Sequence, residues 1–570
     1  MNKTSGSLHP LTVTLLKKRG VKDEDVEDFL SPSYEKHIGN PFLIHGVPKA
    51  VQRIVSAIKN KEKICVYSDY DCDGIPGGVL LREFFDGISY PVEIYVPHRH
   101  NEGYGVHKHA IDILKEKGVT LVITVDLAIT NIEEIAYAKS VGVDFIVTDH
   151  HLPIHEEGNG QVVPDAVAVI NSKQDVCTYH DDMLCGCAVA WKLACGVLAK
   201  LKEENINEEV YAKVKSLPAG WEKWMLDLVG ISTIADMVPL VKENRALAHY
   251  GLKVLRKTKR PGLLHIFNEQ RMRKDYLTEE DIAFTIAPRI NAAGRMGAPI
   301  QAHHMLYEKD VKLAENFARD LEVLNTARKS DVKDITEGIS FSHDVYKNDV
   351  VVVGDVNWGP GILGLIAQKI IDETGKPTFV WGQGEDKSTL KGSCRSKGDV
   401  HVVELMARSK ELFPGVITHS GGHEQAGGFS CSLERVEELS NVLNESLKHV
   451  TIKELGTQEI IIDADLSMDD IHEITYQAVA PLAPFGVGNA KPIFSFNNVT
   501  PFASKRFGKK NEHLEIVYPT SKGGKVKAIQ FFVKGETEEK AGKTHTLLAH
   551  LEKSYFGGKT ELRLRIVDIR

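Results

Sequence analysis

The 570-residue sequence lacks the features of a secreted, disulfide-bonded or membrane-spanning protein. It has only eight cysteines. None lies in a Cys-x-x-Cys spacing, so reduced cytoplasmic thiols are favoured over a structural zinc site. No apolar run approaches the ~18 residues that a membrane span needs, and the first residues have no apolar signal core. We therefore predict a cytoplasmic protein that makes no contact with a membrane.

Charge is unevenly distributed along the chain. The net charge is −8, which argues against indiscriminate binding of nucleic acid by the whole surface. Residues 501–570 nevertheless carry 15 Lys and Arg against 8 Asp and Glu. An acidic body with a basic terminal domain suits an enzyme that acts on a polyanion, although a solvated, unevenly charged surface is the alternative.

Strand and helix patterns predict an α/β protein. Between about 50 and 170, near-continuous apolar strands alternate with helical patterns, which predicts a parallel sheet covered on both faces. A long amphipathic helix is predicted from Val311 to about Ser340,. A second α/β region follows it, and partly alternating strands after Leu514 predict an OB-type barrel. The predicted strands of the first sheet are Ile64–Tyr67, Val92–Val96, Leu121–Val125, Phe145–Val147 and Ala166–Ile170.

These patterns divide the chain into five parts. The order is a helical lead-in, a parallel-sheet domain, a long connecting helix, a second smaller α/β domain and a C-terminal OB-type β-barrel. The predicted bounds are 1–45, 46–305, 306–342, 343–455 and 456–570.

Acidic residues and imidazoles follow three of the predicted parallel strands. Asp69, Asp71 and Asp73 follow the first, Asp126 follows the third, and Asp149-His150-His151 follows the fourth. Ligand sites of parallel sheets lie beyond the carboxyl ends of the strands, so these groups are expected to converge. Mixed carboxylate and imidazole donors suit Mn²⁺ or Mg²⁺, and two such ions can promote hydrolysis of a phosphodiester.

A calcium-binding EF-hand is the rival interpretation of Asp69-x-Asp-x-Asp-Gly. That loop needs a glutamate at its twelfth position, where this chain has Leu80, and it needs a helix before it, where this chain has a strand,. Both failures disfavour an EF-hand.

Four motifs together resemble the DHH phosphoesterase superfamily, and within it the RecJ single-strand-specific exonucleases. They are Tyr67–Gly74, Thr124–Asp126, Asp149–His151 and Ala235–Leu240. Five further segments are similar to RecJ proteins: Arg99–Gly105, Ala287–Arg295, Lys391–Ser396, Gly421–Gly428 and Pro484–Asn489.

The resemblance implies a reaction and a metal centre. The implied reaction is metal-dependent hydrolysis of single-stranded DNA from its 5′ end to 5′-mononucleotides, in DNA repair and recombination. Two ions, Mn²⁺ or Mg²⁺, would be held or oriented by Asp69, Asp71, Asp73, Asp126, His150 and Asp236. Asp126 would bridge the ions, and Asp149 and His151 would fix the site or contact the scissile phosphate.

Substrate contacts are also implied by the resemblance. The Gly421-Gly422-His423 turn would face the metals across a cleft and grip the substrate phosphate, with His423 as a catalytic donor. Arg99, Ser393 and Arg395 resemble a pocket for the terminal 5′-phosphate. Arg289 and Arg295 fit either a substrate contact or a structural role.

Three residues in or next to the motifs depart from the usual family pattern. Ser68 stands where the family usually has glycine, and Leu127-Ala128 where it usually has a small residue and glycine. We expect the additional C-terminal domain of longer relatives to be absent.

The aromatic residues of the basic tail are either stacking surfaces or barrel core; they are Phe507, Tyr518, Phe531 and Tyr555,.

Two other functions compete with the exonuclease. One is a phosphodiesterase that acts on short oligonucleotides or cyclic dinucleotides, and the other is a catalytically inactive single-strand-binding scaffold. An exonuclease of this kind would be a monomer that works beside a single-strand-binding protein and a helicase.

Overall fold

The computed structural model describes residues 8–570 except 157, 159, 340–346, 385–387, 454–458, 534–542 and 556–559. The predicted domain boundaries at 342/343 and 455/456 lie outside the described residues, as does the start of the predicted lead-in. Among the described residues, no helix combines the length and apolar character that crossing a membrane requires.

Five parallel strands form the first sheet, as predicted, and a two-stranded antiparallel hairpin that was not predicted precedes the last of them. The sheet strands are β1 (Lys63–Ser68), β2 (Glu93–Tyr95), β3 (Val119–Val125), β4 (Asp144–Thr148) and β7 (Ala168–Ile170), and the hairpin strands are β5 (Ile154–Glu156) and β6 (Gly160–Val162). The order is β2-β1-β3-β4-β7, and every neighbouring pair is parallel.

Alternate side chains of the sheet strands enter two separate cores. In β1, Ile64 and Val66 face one core, while Cys65 and Tyr67 face the other. Both faces are therefore buried, which explains why the strands are apolar at nearly every position. The helices interleaved with the sheet are α4 (Val47–Asn60), α5 (Gly74–Gly87), α6 (Lys108–Glu116) and α7 (Ile132–Ser140).

Helices make up most of the chain from residue 186 to the second domain. They are α8 (Gly186–Glu203), α9 (Glu208–Ser216), α10 (Leu226–Ala235), α11 (Lys242–Leu255), α12 (Pro261–Glu269), α13 (Glu279–Asp281), α14 (Ala287–Arg295), α15 (Pro299–Tyr307) and α16 (Val311–Ile339). A π-helical turn, Ile282–Ile286, joins α13 to α14. The 29-residue α16 is the amphipathic helix predicted from its period,.

In its described residues, the second domain is a mixed five-stranded sheet with three α-helices. Its strand order is β11-β12-β10-β9-β8, in which only the β8–β9 pair is parallel. The elements are β8 (Val351–Gly354), α17 (Leu363–Thr374), β9 (Thr378–Gly382), β10 (Thr389–Arg395), α18 (Val402–Leu412), β11 (Ile417–His423), β12 (Ala426–Ser432) and α19 (Leu439–Leu447).

The described part of the C-terminal domain is a seven-stranded sheet with one α-helix, and the strand order is β13-β14-β18-β19-β17-β16-β15. Its elements are β13 (Ala464–Asp465), α20 (Glu473–Val479), β14 (Phe494–Val499), β15 (Ala503–Phe507), β16 (His513–Pro519), β17 (Lys525–Gln530), β18 (His545–Ser554) and β19 (Glu561–Ile569). Tyr518 belongs to its core and is not a stacking surface, since its side chain is fully buried and its hydroxyl contacts His545 at 2.8 Å.

The N-terminal lead-in contains the helices α1 (Pro10–Lys18), α2 (Val26–Leu30) and α3 (Tyr34–His37). Leu15 of α1 lies in the core of the C-terminal domain, and the Thr12 hydroxyl donates to the Ala478 carbonyl at 2.7 Å. Arg245 of α11 joins three segments: its guanidinium donates to the carbonyls of Phe29 (2.9 Å) and Leu482 (3.0 Å). The two ends of the chain therefore pack against each other and against the first domain.

Candidate metal centre and substrate cleft

The acidic motifs meet because each extends the parallel sheet by one residue. The backbone N–H of Asp69 donates to the Val125 carbonyl at 3.0 Å, and that of Asp126 donates to the Thr148 carbonyl at 2.9 Å. The N–H of Asp149 likewise donates to the Ile170 carbonyl at 3.1 Å. The motif residues are thus fixed by the same ladder that fixes the strands, at the edge where ligands bind.

Three overlapping groups of donors are arranged to hold metal ions. Within each group the ligand atoms lie within 4.8 Å of one another. The groups are Asp69–Asp71–Asp126, Asp126–His150–His151 and Asp73–His150–Asp236. All six residues predicted to hold or orient metals are therefore brought together.

Asp126 and His150 lie at the centre of these groups. His150 Nε2 is 3.2 Å from Asp126 Oδ1 and 3.7 Å from both Asp73 Oδ2 and Asp236 Oδ2. Asp126 and His150 each belong to two of the three groups, and the bridging role of Asp126 stays a prediction.

Unsatisfied oxygens in the cluster fit the binding of cations. Asp69 Oδ1 and Asp126 Oδ1 are buried and accept no hydrogen bond in the described structure, since His150 Nε2, 3.2 Å from Asp126 Oδ1, lacks hydrogen-bond geometry. Buried polar atoms are normally paired, and an unpaired carboxylate oxygen is costly unless an ion contacts it. Oxygen-rich donors with one or two imidazoles match the preferences of Mn²⁺ and Mg²⁺.

Burial and mutual repulsion shift the pKa values of this cluster. Burial, followed by repulsion from Asp73, raises the pKa of Asp236 to about 8 and that of Asp126 well above its ordinary value. Burial, followed by the neighbouring His151, lowers the pKa of His150 to about 3. His150 is therefore neutral at pH 7, which is the form that binds a metal.

Asp149 is fully buried, and both of its oxygens are occupied. Oδ2 accepts from the Ile129 N–H at 2.9 Å, and Oδ1 accepts from the N–H groups of His150 (2.7 Å) and His151 (3.1 Å). Oδ1 also lies 2.8 Å from His151 Nδ1. Asp149 therefore holds the two imidazoles in place, and the structure gives it no free oxygen for the substrate.

His151 is the half-exposed residue of the Asp149-His150-His151 motif. Burial lowers its pKa, but the hydrogen bond and charge of Asp149 outweigh burial and raise the pKa of His151 to about 9. The Tyr104 hydroxyl lies 3.2 Å from His151 Nδ1 and donates to the Asp126 carbonyl at 3.2 Å. A protonated imidazole at the mouth of the acidic cluster can donate to a phosphate oxygen.

Asp71 and Asp73 shape the first motif. Asp71 Oδ1 accepts from the N–H groups of Asp73 (2.7 Å) and Gly74 (3.1 Å), which closes a tight turn at the start of α5. Both oxygens of Asp73 accept from the first N–H groups of α8, those of Gly186 (2.6 Å) and Cys187 (2.8 Å). Asp73 therefore attaches α8 to the metal centre, using the partial positive charge of a helix N-terminus.

A basic group of four arginines lies where the first and second domains meet. Its members are Arg99, Arg295, Arg328 and Arg395. Arg395 Nη1 donates to Ser393 Oγ at 3.2 Å, and Arg295 Nη1 donates to the Gly361 carbonyl at 3.2 Å. Burial, followed by repulsion from Arg99 and Arg328, lowers the pKa of Arg295 to about 10. A group of arginines whose charges repel one another is suited to bind an anion.

Gly364, in the first turn of α17, permits this arrangement. A Cβ atom there would lie 2.9 Å from Arg395 Nη2 and 3.1 Å from Ser393 Oγ. The bare backbone lets the predicted phosphate residues Ser393 and Arg395 approach the N-terminus of α17, which is itself favourable to anions.

Arg289 has a structural environment. It is buried, its Nε donates to Glu322 Oε2 at 2.6 Å, and its Nη1 donates to the Thr285 carbonyl at 2.7 Å. These contacts join α14 to α16, which favours the structural alternative for Arg289. Arg295 belongs to the basic group, and the charge of Arg289 also acts on Arg328 of that group.

The glycine turn lies at the open edge of the second sheet. Gly421, Gly422 and His423 end β11, pair with β12 and are exposed. Gly422 has φ 137°, and a Cβ there would lie 2.4 Å from the Ala426 carbonyl oxygen, so only glycine fits,. The His423 side chain makes no hydrogen bond to any described residue, and its place opposite the metals stays a prediction.

Family models match the chain in three places. The DHH family N-terminal domain matches residues 63–217, the DHHA1 domain matches 347–449, and the RecJ OB domain matches 462–568. A Bacillus subtilis protein named single-stranded-DNA-specific exonuclease RecJ is 33% identical over 511 residues, which is 89% of this chain. The chain is similar to RecJ proteins over most of its length. It spans 61% of the length of that B. subtilis protein.

Solved RecJ structures share this architecture. The structure of Thermus thermophilus RecJ in complex with Mn²⁺ has a TM-score of 0.78 at 23% identity, covering 99% of this chain and 76% of that one. A structure of exonuclease RecJ bound to manganese has a TM-score of 0.59 at 28% identity, covering 70% of this chain and 94% of that one. The predicted fold class, ending in a RecJ OB domain, is thereby confirmed.

Sequence reasoning did not assign two residues that the structure places beside the metal motifs, and it left the role of Arg295 open. Tyr104 contacts His151, Asn291 Oδ1 accepts from the Cys72 N–H at 2.9 Å, and Arg295 joins the basic group. Tyr104 and Asn291 lie in segments that had been singled out for their resemblance. The missing information was which side chain of each segment turns toward the metal motifs.

Proposed function

We propose that this RecJ-like protein is a metal-dependent exonuclease that hydrolyses single-stranded DNA from its 5′ end to 5′-mononucleotides, in DNA repair and recombination. The observation that carries the proposal is the convergence of three donor groups on one sheet edge, with unpaired oxygens on Asp69 and Asp126. Such a site supports two divalent ions, Mn²⁺ or Mg²⁺, and the related exonuclease RecJ at 28% identity was solved with manganese,.

The proposed ligands fall into two sets that share Asp126. Asp69 and Asp71 would hold one ion, and His150 and Asp236 the other, with Asp126 between them. Asp73 would contribute its charge to the second ion while it holds α8. Bound ions would activate a water and stabilise the leaving oxygen of the phosphodiester.

Side chains around the ions would orient the substrate. Asp149 keeps His151 in place, and the raised pKa of His151 makes it a hydrogen-bond donor to the scissile phosphate. His423 is proposed as a second donor from the opposite wall, with Gly421 and Gly422 bringing the backbone close.

The direction of degradation would follow from the basic pocket. Arg99, Ser393 and Arg395 are proposed to bind the terminal 5′-phosphate, because arginine forks match that doubly charged group. The nearness of this pocket to the acidic cluster is supported by Arg99, whose guanidinium carbon lies 4.9 Å from the centre of the Tyr70 ring, between Asp69 and Asp71 in the chain.

A long strand is the proposed substrate, since the RecJ OB domain extends the binding surface with a basic sheet,. Phe531 remains partly exposed there, whereas Tyr555 stacks on Tyr276 with ring centroids 4.3 Å apart. Because only single strands would be degraded, a helicase to supply them and a single-strand-binding protein to hold them are the proposed partners of a cytoplasmic monomer.

The test is Mn²⁺-dependent digestion of single-stranded oligomers that range from dinucleotides to long strands. We expect faster cleavage of the longer strands and no cleavage in EDTA. Preference for dinucleotides would replace the proposal by the short-substrate phosphodiesterase, and lack of any hydrolysis with Mn²⁺ would support the inactive scaffold.

A further inference from the structure

The end of β7 also contributes to the cleft, in addition to the ends of β1, β3 and β4. The proposed mechanism does not use it. β7 lies next to β4 and ends at Ile170, followed by Asn171-Ser172-Lys173. The fully buried Asn171 links this end to the metal centre, because its Nδ2 donates to the His151 carbonyl at 2.8 Å. Its Oδ1 accepts from the Lys173 N–H, also at 2.8 Å.

The backbone of Lys173 is fixed from the other side as well. Its carbonyl accepts from Gln161 Nε2 of β6 at 3.0 Å. Gln161 Oε1 in turn accepts from the Asp175 N–H at 2.7 Å. The hairpin and Asn171 together hold the Lys173 turn against the motif that carries His150 and His151.

The Lys173 side chain is half-buried and has no hydrogen bond or ion pair to any residue that the structure describes. Burial lowers its pKa, while the charges of Asp236 and Asp149 act in the opposite direction. The same ammonium acts on Asp236 and His150. Lys173 is thus a cation near the metal ligands without a partner of its own.

Two cations therefore lie near different parts of the acidic cluster. Arg99 follows β2 and Lys173 follows β7, the two outer strands of the first sheet, and the metal motifs follow β1, β3 and β4 between them. A strand whose 5′-phosphate occupies the arginine pocket would pass the first set, then the second, and then reach Lys173.

We infer that Lys173 is a substrate-binding residue that contacts the phosphate on the 3′ side of the scissile bond. The inference rests on the proposed exonuclease function. An ammonium at the end of β7, next to the metal motif and outside ion-pair distance of every acidic residue that the structure describes, is suited to a phosphate oxygen,.

The experiment compares Lys173→Met, which keeps the aliphatic length and removes the charge, with Lys173→Arg. Lys257→Met is the control, because it removes the same charge from an exposed lysine that has no ion pair in the described structure. Each protein is given a single strand with normal phosphates, and one in which the phosphate 3′ of the scissile bond is an uncharged methylphosphonate.

Lys173→Met should lower kcat/KM on the normal strand about tenfold or more, and should change little on the methylphosphonate strand. Lys173→Arg should restore part of the loss. Strand binding in EDTA, followed by fluorescence anisotropy, should show a salt slope smaller by about 0.7 for Lys173→Met. Lys257→Met should leave all of these values unchanged.

Two results would overturn the inference while leaving the exonuclease proposal intact: an unchanged kcat/KM and salt slope in Lys173→Met, or an equal loss on both strands, as a purely structural role would give. If the unsubstituted protein fails to degrade single-stranded DNA with Mn²⁺, the proposed function itself fails.

Discussion

Replacing Asp149 by asparagine tests whether the Asp149 carboxylate positions His150 and His151. The carboxylate accepts four hydrogen bonds, three at Oδ1 and one at Oδ2. An asparagine can keep its oxygen at the Oδ1 position, but its NH₂ group would then face the Ile129 N–H, and two donors would oppose each other. The charge that pairs with His151 is also removed.

The expected loss in Asp149→Asn follows from the hydrogen bonds that Asp149 makes. One lost hydrogen bond to a charged group, with a buried N–H left unpaired, corresponds to about 1.5–3 kcal/mol. That range corresponds to a loss of roughly tenfold to a hundredfold in activity or metal affinity, which is the range found for residues that orient metal ligands. Removing a direct ligand or a substrate contact should cost considerably more.

The assay measures kcat/KM on a single-stranded oligonucleotide, together with Mn²⁺ affinity by calorimetry. Asp181→Asn is the matched control: Asp181 is also buried and accepts from two backbone N–H groups, those of Met183 and Glu243, both at 3.1 Å. Asp181→Asn should leave Mn²⁺ affinity unchanged. Unchanged Mn²⁺ affinity and kcat/KM in Asp149→Asn would refute the positioning role, and a loss as large as that of Asp126→Ala would indicate direct contact with metal or substrate.

Three other outcomes are expected. Asp126→Ala should abolish Mn²⁺-dependent cleavage and leave strand binding in EDTA largely intact, and residual cleavage at the normal rate would exclude its bridging role. Arg395→Ala should weaken cleavage of 5′-phosphorylated strands about tenfold or more while sparing 5′-hydroxyl strands; equal losses would contradict the pocket. Because burial raises the pKa values of Asp69, Asp126 and Asp236, the metal-free fold retains protons that the unfolded chain has lost. The contribution of these three carboxyl groups to stability should therefore fall as pH rises from about 4 to about 8, and the increase in Tm on adding Mn²⁺ should grow over that window; a constant increase would contradict it.

Local sequence was sufficient for the parallel sheet and for its functional edge. The apolar strands were continuous because both faces are buried, and the acids after β1, β3 and β4 converge because parallel strands end at the same edge,. Local sequence did not reveal the hairpin of β5 and β6, whose strands have three residues each.

Contacts between distant segments could not be predicted from periodicity. The pairing of Arg289 with Glu322 on another helix is absent from any local pattern. The packing of Leu15 into the C-terminal core is likewise invisible, because amphipathic spacing shows that a face is buried but not what covers it,. The position of Lys173 depends on β7 lying beside β4, which only the fold reveals.

The most direct test of the account is a time course on single-stranded DNA labelled at its 5′ or its 3′ end, with Mn²⁺ and with EDTA. The account predicts immediate release of labelled mononucleotide from the 5′-labelled strand, gradual shortening of the 3′-labelled strand, and neither in EDTA. Mononucleotide released first from the 3′ label, or cleavage that persists in EDTA, would contradict it.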